Sequence, residues 1–398
     1  MKLLKNSFIS SSFVYIFLTF VNGVFTILAT TLIVNNLSVA IVGEIDLLIS
    51  ITGFTVTFIH FGSSTFIAQK NSINQEEKIN IYVNAITLFL FNSIIISLIS
   101  VIILFYFSFL EYLFVVSYSI LLSFVSLYLS FLQFNNFKTK FAFISSFIVV
   151  LNYLILLSFN YSSFFYEVRL YSLILVYLVI SFLILADNKS IVLKYLNLIS
   201  LKMYKEGFKR GKILFLGAGL SIMTEKFDRL FVYKFLGSAS AGIYSTLYQF
   251  GSVMLVLQSS ISRAWIPYIK EIEGDKQKEK KAILLTSLFY FIISFFVASL
   301  SVLYINNFLP SDYHEYWFIV YIISFSYALD GVLKLFNGIF ILNKDYNLST
   351  KLNFISAATN VLFVLIFYSS LGIYGIALSM LISFSTPLLY IYYLNIKK

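Results

Sequence analysis

AILLTSLFYFIISFFVASLSVLY, Ala282 to Tyr304, is an apolar run of 23 residues without one charge. As a helix rising ~1.5 Å per residue it reaches roughly 35 Å, enough to cross a ~30 Å hydrocarbon core. Outward from it, runs of similar character recur along the chain. We place spans at Phe8 to Val34, Ile41 to Ile67, Ile79 to Phe105, Tyr112 to Phe134, Phe141 to Phe159 and Val168 to Ala186. A second set lies at Ile213 to Leu236, Gly242 to Trp265, Ala282 to Tyr304, Tyr316 to Phe340, Leu352 to Tyr368 and Gly372 to Leu394. The expected fold is therefore an all-α polytopic membrane protein with about twelve transmembrane helices.

Composition excludes most alternatives. Of 398 residues 60% are hydrophobic and 12% charged, against roughly 25% charged in soluble domains, and mean hydropathy is +0.90. There is no cysteine and only two histidines, so disulfides and thiolate metal sites are absent, and we assign neither a metal nor a cofactor. The chain opens on Met-Lys-Leu-Leu-Lys and runs into apolar sequence without a small-residue cleavage site, so we read a retained first span. The net charge of +10 is a matter of topology. With the N-terminus inside, 23 of the 28 lysines and arginines fall in cytoplasmic segments, seven of them between Lys189 and Lys212. Both termini are then cytoplasmic, and the charge calls for no nucleic-acid partner. The Lys189 to Lys212 segment reads as a basic linker beside anionic headgroups.

The two sets of spans echo one another. At an offset of 199 residues Leu37 matches Leu236, Ala40 matches Ala239, Gly43 matches Gly242 and Leu48 matches Leu247. Later in each half Lys140, Phe143, Ile144 and Ser145 match Lys351, Phe354, Ile355 and Ser356. Six spans return the chain to its starting side, so the halves 1–200 and 201–398 are expected as parallel six-helix lobes around a central cavity.

Several stretches carry a family resemblance. They are Leu37 to Gly43, Phe61-Gly62 running to Ala68-Gln69-Lys70, Asp228-Arg229-Leu230, Leu236-Gly237 with Ala241-Gly242-Ile243-Tyr244, Trp265-Ile266-Pro267, and Leu371-Gly372-Ile373-Tyr374-Gly375-Ile376-Ala377. Over essentially its whole length the chain resembles the polysaccharide-transporter branch of the multidrug/oligosaccharidyl-lipid/polysaccharide (MOP) exporter superfamily, most closely the O-antigen flippases called Wzx. The resemblance implies a MATE-like pair of lobes and translocation of undecaprenyl-diphosphate-linked oligosaccharide from the cytoplasmic to the periplasmic leaflet of the bacterial inner membrane. It also implies partners among membrane lipids, the polysaccharide polymerase and the chain-length machinery. One position departs from the pattern: His60 precedes Phe61-Gly62 where an acidic or amide residue is expected.

Charges inside spans are costly, ~2.5–3.5 kcal/mol each at a helix centre on insertion scales, so they turn toward protein or water. Span seven holds Glu225, Lys226, Asp228 and Arg229, which fit an arc of about 160° on one helix face. Counted from Ile213, Glu225 lies roughly 18 Å along the helix, close to the midplane. Glu225 and Arg229 have the four-residue spacing of an intrahelical pair, and Asp330 and Lys334 in span ten repeat that spacing. We nominate Lys226, Arg229, Lys334 and His60 as substrate-binding candidates, because a diphosphate crossing hydrocarbon needs cationic partners in place of water. Glu225, Asp228 and Asp330 are the ion-coupling candidates, for H+ or Na+. Each cluster also has a purely structural reading, as a self-neutralised packing contact. Glu44 and Asp46, at the start of span two, read as interfacial.

No enzymatic motif emerges. Gly207-Phe-Lys-Arg-Gly211-Lys212-Ile213 falls one residue short of a phosphate loop and lacks its Ser or Thr, so ATP use is not expected. Two alternatives stay open: a cation-coupled drug exporter of the same superfamily, which carboxylates lining the cavity would favour, and an O-antigen polymerase, which would need a large periplasmic loop.

Overall fold

A computed structural model describes residues 21–61, 63, 75–100, 109–134, 137–160, 162–187, 199–272, 275–342 and 345–396. Among them regular structure is helical throughout. The helices are α1 (Val21–Asn36), α2 (Val39–His60), α3 (Gln75–Ser100), α4 (Phe109–Phe134), α5 (Lys138–Ser158), α6 (Phe165–Asp187), α7 (Leu201–Gly251), α8 (Val253–Glu271), α9 (Lys276–Phe308), α10 (Phe318–Leu342) and α11 (Tyr346–Ile396). A short 3₁₀ turn, Ser311–Tyr316, follows α9.

Two of these helices are broken by glycine. Gly237 in α7 has φ 87° and ψ 170°, and Gly372 in α11 has φ 55° and ψ −134°, regions closed to side chains with a Cβ. Each break divides one 51-residue helix into two. The second part of α7 meets α8 through Ser252, whose backbone stays right-handed helical, so together they form one span. Counted this way the described helices make twelve, in the order expected. Seven helices are long and apolar enough to cross a membrane, and Val21–Asn36 and Val83–Ile99 form shorter apolar segments. Residues 8–20 of the expected first span, and 188–198 of the basic linker, lie outside the described residues.

Helix α9 shows how these sequences meet their solvent. Asp275 caps it, its carboxylate accepting the Lys278 amide at 3.1 Å. One stripe is buried, made of Tyr290, Ser294, Ala298, Ser301 and Ile305. Around the rest Leu284, Leu288, Ile292, Phe295, Leu300 and Leu303 are exposed. Small and hydroxylated residues face protein while leucine and phenylalanine face outward, the arrangement of a helix packed in lipid. The stripe meets α10, where the Ser324 hydroxyl donates to the Ser294 carbonyl at 2.9 Å and the absent side chain of Gly331 makes room for the Tyr290 ring.

The chain forms two compact units, Met1–Asp46 with Met223–Lys398, and Leu47–Ile222. These do not coincide with the halves 1–200 and 201–398, because the first 46 residues join the C-terminal segment. Gly43 and Gly242 explain this. A methyl group on Gly43 would strike the carbonyl oxygen of Ser238, and one on Gly242 would strike that of Val39. Val39 and Ser238 are themselves 199 residues apart, as Gly43 and Gly242 are. The matched segments therefore touch across a local two-fold relation, each helix approaching through its glycine. The break at Gly237 is the counterpart of the joint between α1 and α2 at residue 38.

In the second unit Val125, Ile148, Val176, Ile180 and Ile184 make the core of α4, α5 and α6. Helix α2 stops there at Phe61, which has φ 45°, an outlier for a bulky residue. The Asn92 amide donates to the final α2 carbonyls of Phe58 and Ile59, both at 3.2 Å.

Candidate functional site

The first unit contains a buried polar network that starts at Arg229 on α7. One of its guanidinium nitrogens, Nη1, donates to Asp46 Oδ1 on α2 at 2.9 Å, and the side chains are 8% and 7% exposed. The Tyr248 ring lies under the guanidinium, its centroid 4.1 Å from Cζ. Asp228, fully buried, accepts the Tyr244 hydroxyl at 2.6 Å and the backbone amide of Arg229 at 2.8 Å. Tyr248 bonds through its hydroxyl to that of Tyr327 on α10. Three residues along α10, Asp330 is held by Lys334 at 2.7 Å and by the Gln258 amide of α8 at 2.8 Å.

Local sequence explains the convergence. Asp46 stands seven residues into α2, roughly 10 Å from its start. The close approach at Gly43 and Gly242 brings that turn of α2 to α7. Tyr244 and Tyr248 then follow Gly242 on successive turns of the second part of α7, one carrying Asp228 and the other Arg229. A bare guanidinium in hydrocarbon would be costly, and here a carboxylate and a ring face share it. Among the described residues two buried atoms of these clusters have no hydrogen-bond partner, Arg229 Nε and Gln258 Oε1. A small cleft of about 110 Å³ opens in the same unit, lined by Asn22, Thr26, Thr30 and Gln249 among others.

The sequence expectations fare unevenly. Asp228 and Arg229 share one network, which reaches Tyr327 on α10; Asp330 and Lys334 pair further along α10 with Gln258, and Lys226 is half-buried on α7. Asp46, read from sequence as interfacial, is buried against protein and carries the Arg229 contact. The ion-pair partner of Arg229 is thus on another helix; Glu225 lies on α7, but its side chain is outside the described residues. His60 belongs to the other unit. Its Nε2 is 2.9 Å from the Ser123 carbonyl and 3.0 Å from the Ser126 hydroxyl. A carbonyl only accepts, so Nε2 carries the proton, and this histidine ties α2 to α4. Tyr244, Tyr248, Tyr327 and Gln258 escaped sequence reasoning, because among 29 tyrosines nothing local marks those that meet a charge. Among the described residues no three His, Asp or Glu side chains gather to hold a metal ion.

Comparison with known proteins adds the family. The profile of the polysaccharide biosynthesis protein family matches residues 37–318, well over half the chain. The chain belongs to that polysaccharide biosynthesis family. No curated protein sequence matches it. Among solved structures it is similar to a multidrug resistance MATE family transporter of the MOP superfamily in its inward-facing conformation, with TM-score 0.69, 14% identity and coverage of 95% of this chain and 96% of the other. An outward-facing MATE transporter superposes with TM-score 0.64 at 17% identity, covering 95% and 92%. A MOP superfamily transporter from Pyrococcus furiosus, described by the reverse polarity of its binding pocket, gives 0.63 at 15% identity, covering 95% and 93%. This member of the polysaccharide biosynthesis family is therefore a polytopic membrane protein with the MOP-transporter fold.

Proposed function

We propose that this protein is a flippase that carries an undecaprenyl-diphosphate-linked oligosaccharide, an O-antigen unit or a related repeat, from the cytoplasmic to the periplasmic leaflet of the bacterial inner membrane. The observation that carries this reading is the Arg229 network, a buried guanidinium whose Nε has no hydrogen-bond partner among the described residues. Guanidinium geometry suits a diphosphate, whose oxygens accept paired N–H groups. Tyr244, Tyr248 and Tyr327 are buried and bonded within the network in this state, so a sugar would meet them only once the network opens. Family membership in polysaccharide biosynthesis supports the same substrate class.

Transport in this reading is secondary active alternating access. Asp228, Asp330 and Glu225 are the groups whose charge would change with H+ or Na+, and no ATP is used. Both termini lie in the cytoplasm, and the polymerase and chain-length machinery receive the product. The fold would equally serve a cation-coupled exporter of small molecules. The network, however, carries cations as well as carboxylates, and that favours an anionic lipid.

The test is direct. Purified protein in liposomes, loaded with fluorescent undecaprenyl-diphosphate oligosaccharide on one leaflet, should equalise or reverse its distribution well above protein-free vesicles. Transport of a cationic dye with no movement of the lipid would reject the flippase reading in favour of the exporter.

A further inference from the structure

The second unit holds an apolar groove of about 470 Å³, inside the ~300–1,000 Å³ range of small-molecule sites, that the polar network does not use. Phe58 and Phe61 of the α2 end, Ile96 of α3, Val115 of α4, and Tyr204 and Phe208 of the α7 start line it. Its polar content is confined. The Tyr204 hydroxyl donates to Asn92 Oδ1 at 3.2 Å, and the Asn92 amide is committed to the α2 carbonyls. Thr55 also lines it, its hydroxyl spent on the Ile51 carbonyl at 2.9 Å, and the remaining lining is hydrocarbon, much of it branched or aromatic.

The groove is held in shape at some conformational cost. Phe61 keeps its positive φ while its ring is sandwiched between Phe208, at 4.4 Å, and Phe215, at 4.5 Å, with planes within 16° and 12°. The α7 start lies against α3 because Gly207 has no side chain to meet Leu88. Strained backbone fixed by such contacts is commonly found at binding sites. Basic residues accompany the α7 part of the lining. Lys202, Lys205 and Lys209 are exposed on the same turns of α7 that supply Tyr204 and Phe208, with Glu206 the one carboxylate among them.

We propose that this groove seats the prenyl chain of a prenyl diphosphate lipid, with the diphosphate held by Lys205 and Lys209 at its mouth. The proposal rests on the flippase reading and adds to it a tail site separate from the Arg229 network. An apolar cleft in a membrane protein takes hydrocarbon, and the adjoining lysines select a chain that ends in phosphate. The groove's rings and branched side chains match a methyl-branched prenyl chain.

A photoactivatable undecaprenyl diphosphate and a photoactivatable phosphatidylglycerol, each presented to the intact protein in nanodiscs, test this by mass spectrometry of labelled peptides. The prenyl probe should label peptides containing Phe58, Ile96 or Phe208, and unlabelled undecaprenyl diphosphate should displace it. Ile96→Trp with Val116→Trp, Val116 being a second α4 residue of the lining, should abolish that labelling. Lys205→Gln with Lys209→Gln, which leaves the groove intact, should weaken it about tenfold, the scale of one charge-assisted contact. Equal elution of all variants in size-exclusion chromatography confirms folding. Labelling of the groove by both probes alike, without displacement, would overturn the proposal in favour of bulk lipid. Displaceable prenyl labelling elsewhere, with the groove unlabelled, would overturn it and leave the flippase reading standing. Absence of displaceable prenyl labelling anywhere would count against both.

Discussion

Replacing Asp46 with Asn removes the anion that neutralises Arg229 while leaving the guanidinium where it is. Both side chains are more than nine-tenths buried, so water compensates little. Breaking a buried ion pair from one side costs about 3–5 kcal/mol. The Tyr248 ring stays in place 4.1 Å away, but it holds the guanidinium in the wild type too, so the expected loss remains about 3–5 kcal/mol. Arg229→Gln alone strands the Asp46 carboxylate without such a ring and should lose about 3–5 kcal/mol. The double variant, Asp46→Asn with Arg229→Gln, sets two neutral amides face to face. It should be more stable than the sum of the single losses by at least 1 kcal/mol, beyond the ~0.5 kcal/mol within which independent sites add. Reversible unfolding of the purified protein in mixed micelles measures all four corners of this cycle. Additive losses would mean that the two side chains do not interact, and the network as described would be wrong.

Other perturbations follow from the backbone. Gly43→Ala and Gly242→Ala should each destabilise by about 1–3 kcal/mol, since the clash is with a carbonyl that cannot rotate away. Gly219→Ala, with nothing within 4 Å, should be neutral or slightly stabilising in the same unfolding assay. Gly237→Ala meets no neighbour either, yet should cost about 1–3 kcal/mol because φ 87° with ψ 170° excludes a Cβ. On topology, a reporter active only in the periplasm and fused within Lys189 to Lys212 should stay silent; strong activity there would reverse the proposed direction of flipping.

Much of the architecture could be read from the chain alone, because lipid imposes a length and a polarity on every span. The offset of 199 residues paired Gly43 with Gly242, though sequence could not show that the two segments touch. Span eight was legible as Gly242 to Trp265, while its joint at Ser252 was not, since nothing there changes hydropathy. The site was harder. Spacing within one helix reveals pairs such as Asp330 and Lys334, whereas Arg229 finds Asp46 across 183 positions of sequence. Reading Asp46 as interfacial followed from its place near the start of span two, which says nothing of its buried contact with Arg229. The tyrosines of the network depend on tertiary contact alone. Gly237 and Gly372 stood out as motif residues, but their role as breaks required the backbone angles.

The central claim is that the Arg229 guanidinium handles the diphosphate. Its sharpest measurement is translocation of labelled undecaprenyl-diphosphate oligosaccharide by Arg229→Lys in liposomes, beside Lys226→Ala and Glu225→Gln, with unfolding of each variant recorded in parallel. Arg229→Lys keeps the charge and a contact to Asp46 but loses paired N–H geometry, so transport should fall about tenfold or more with stability nearly unchanged. Glu225→Gln should flatten the dependence of transport on external pH if that carboxylate couples protons. Wild-type transport rates in both Arg229→Lys and Lys226→Ala, with only unfolding affected, would show that the network serves packing and does not handle substrate.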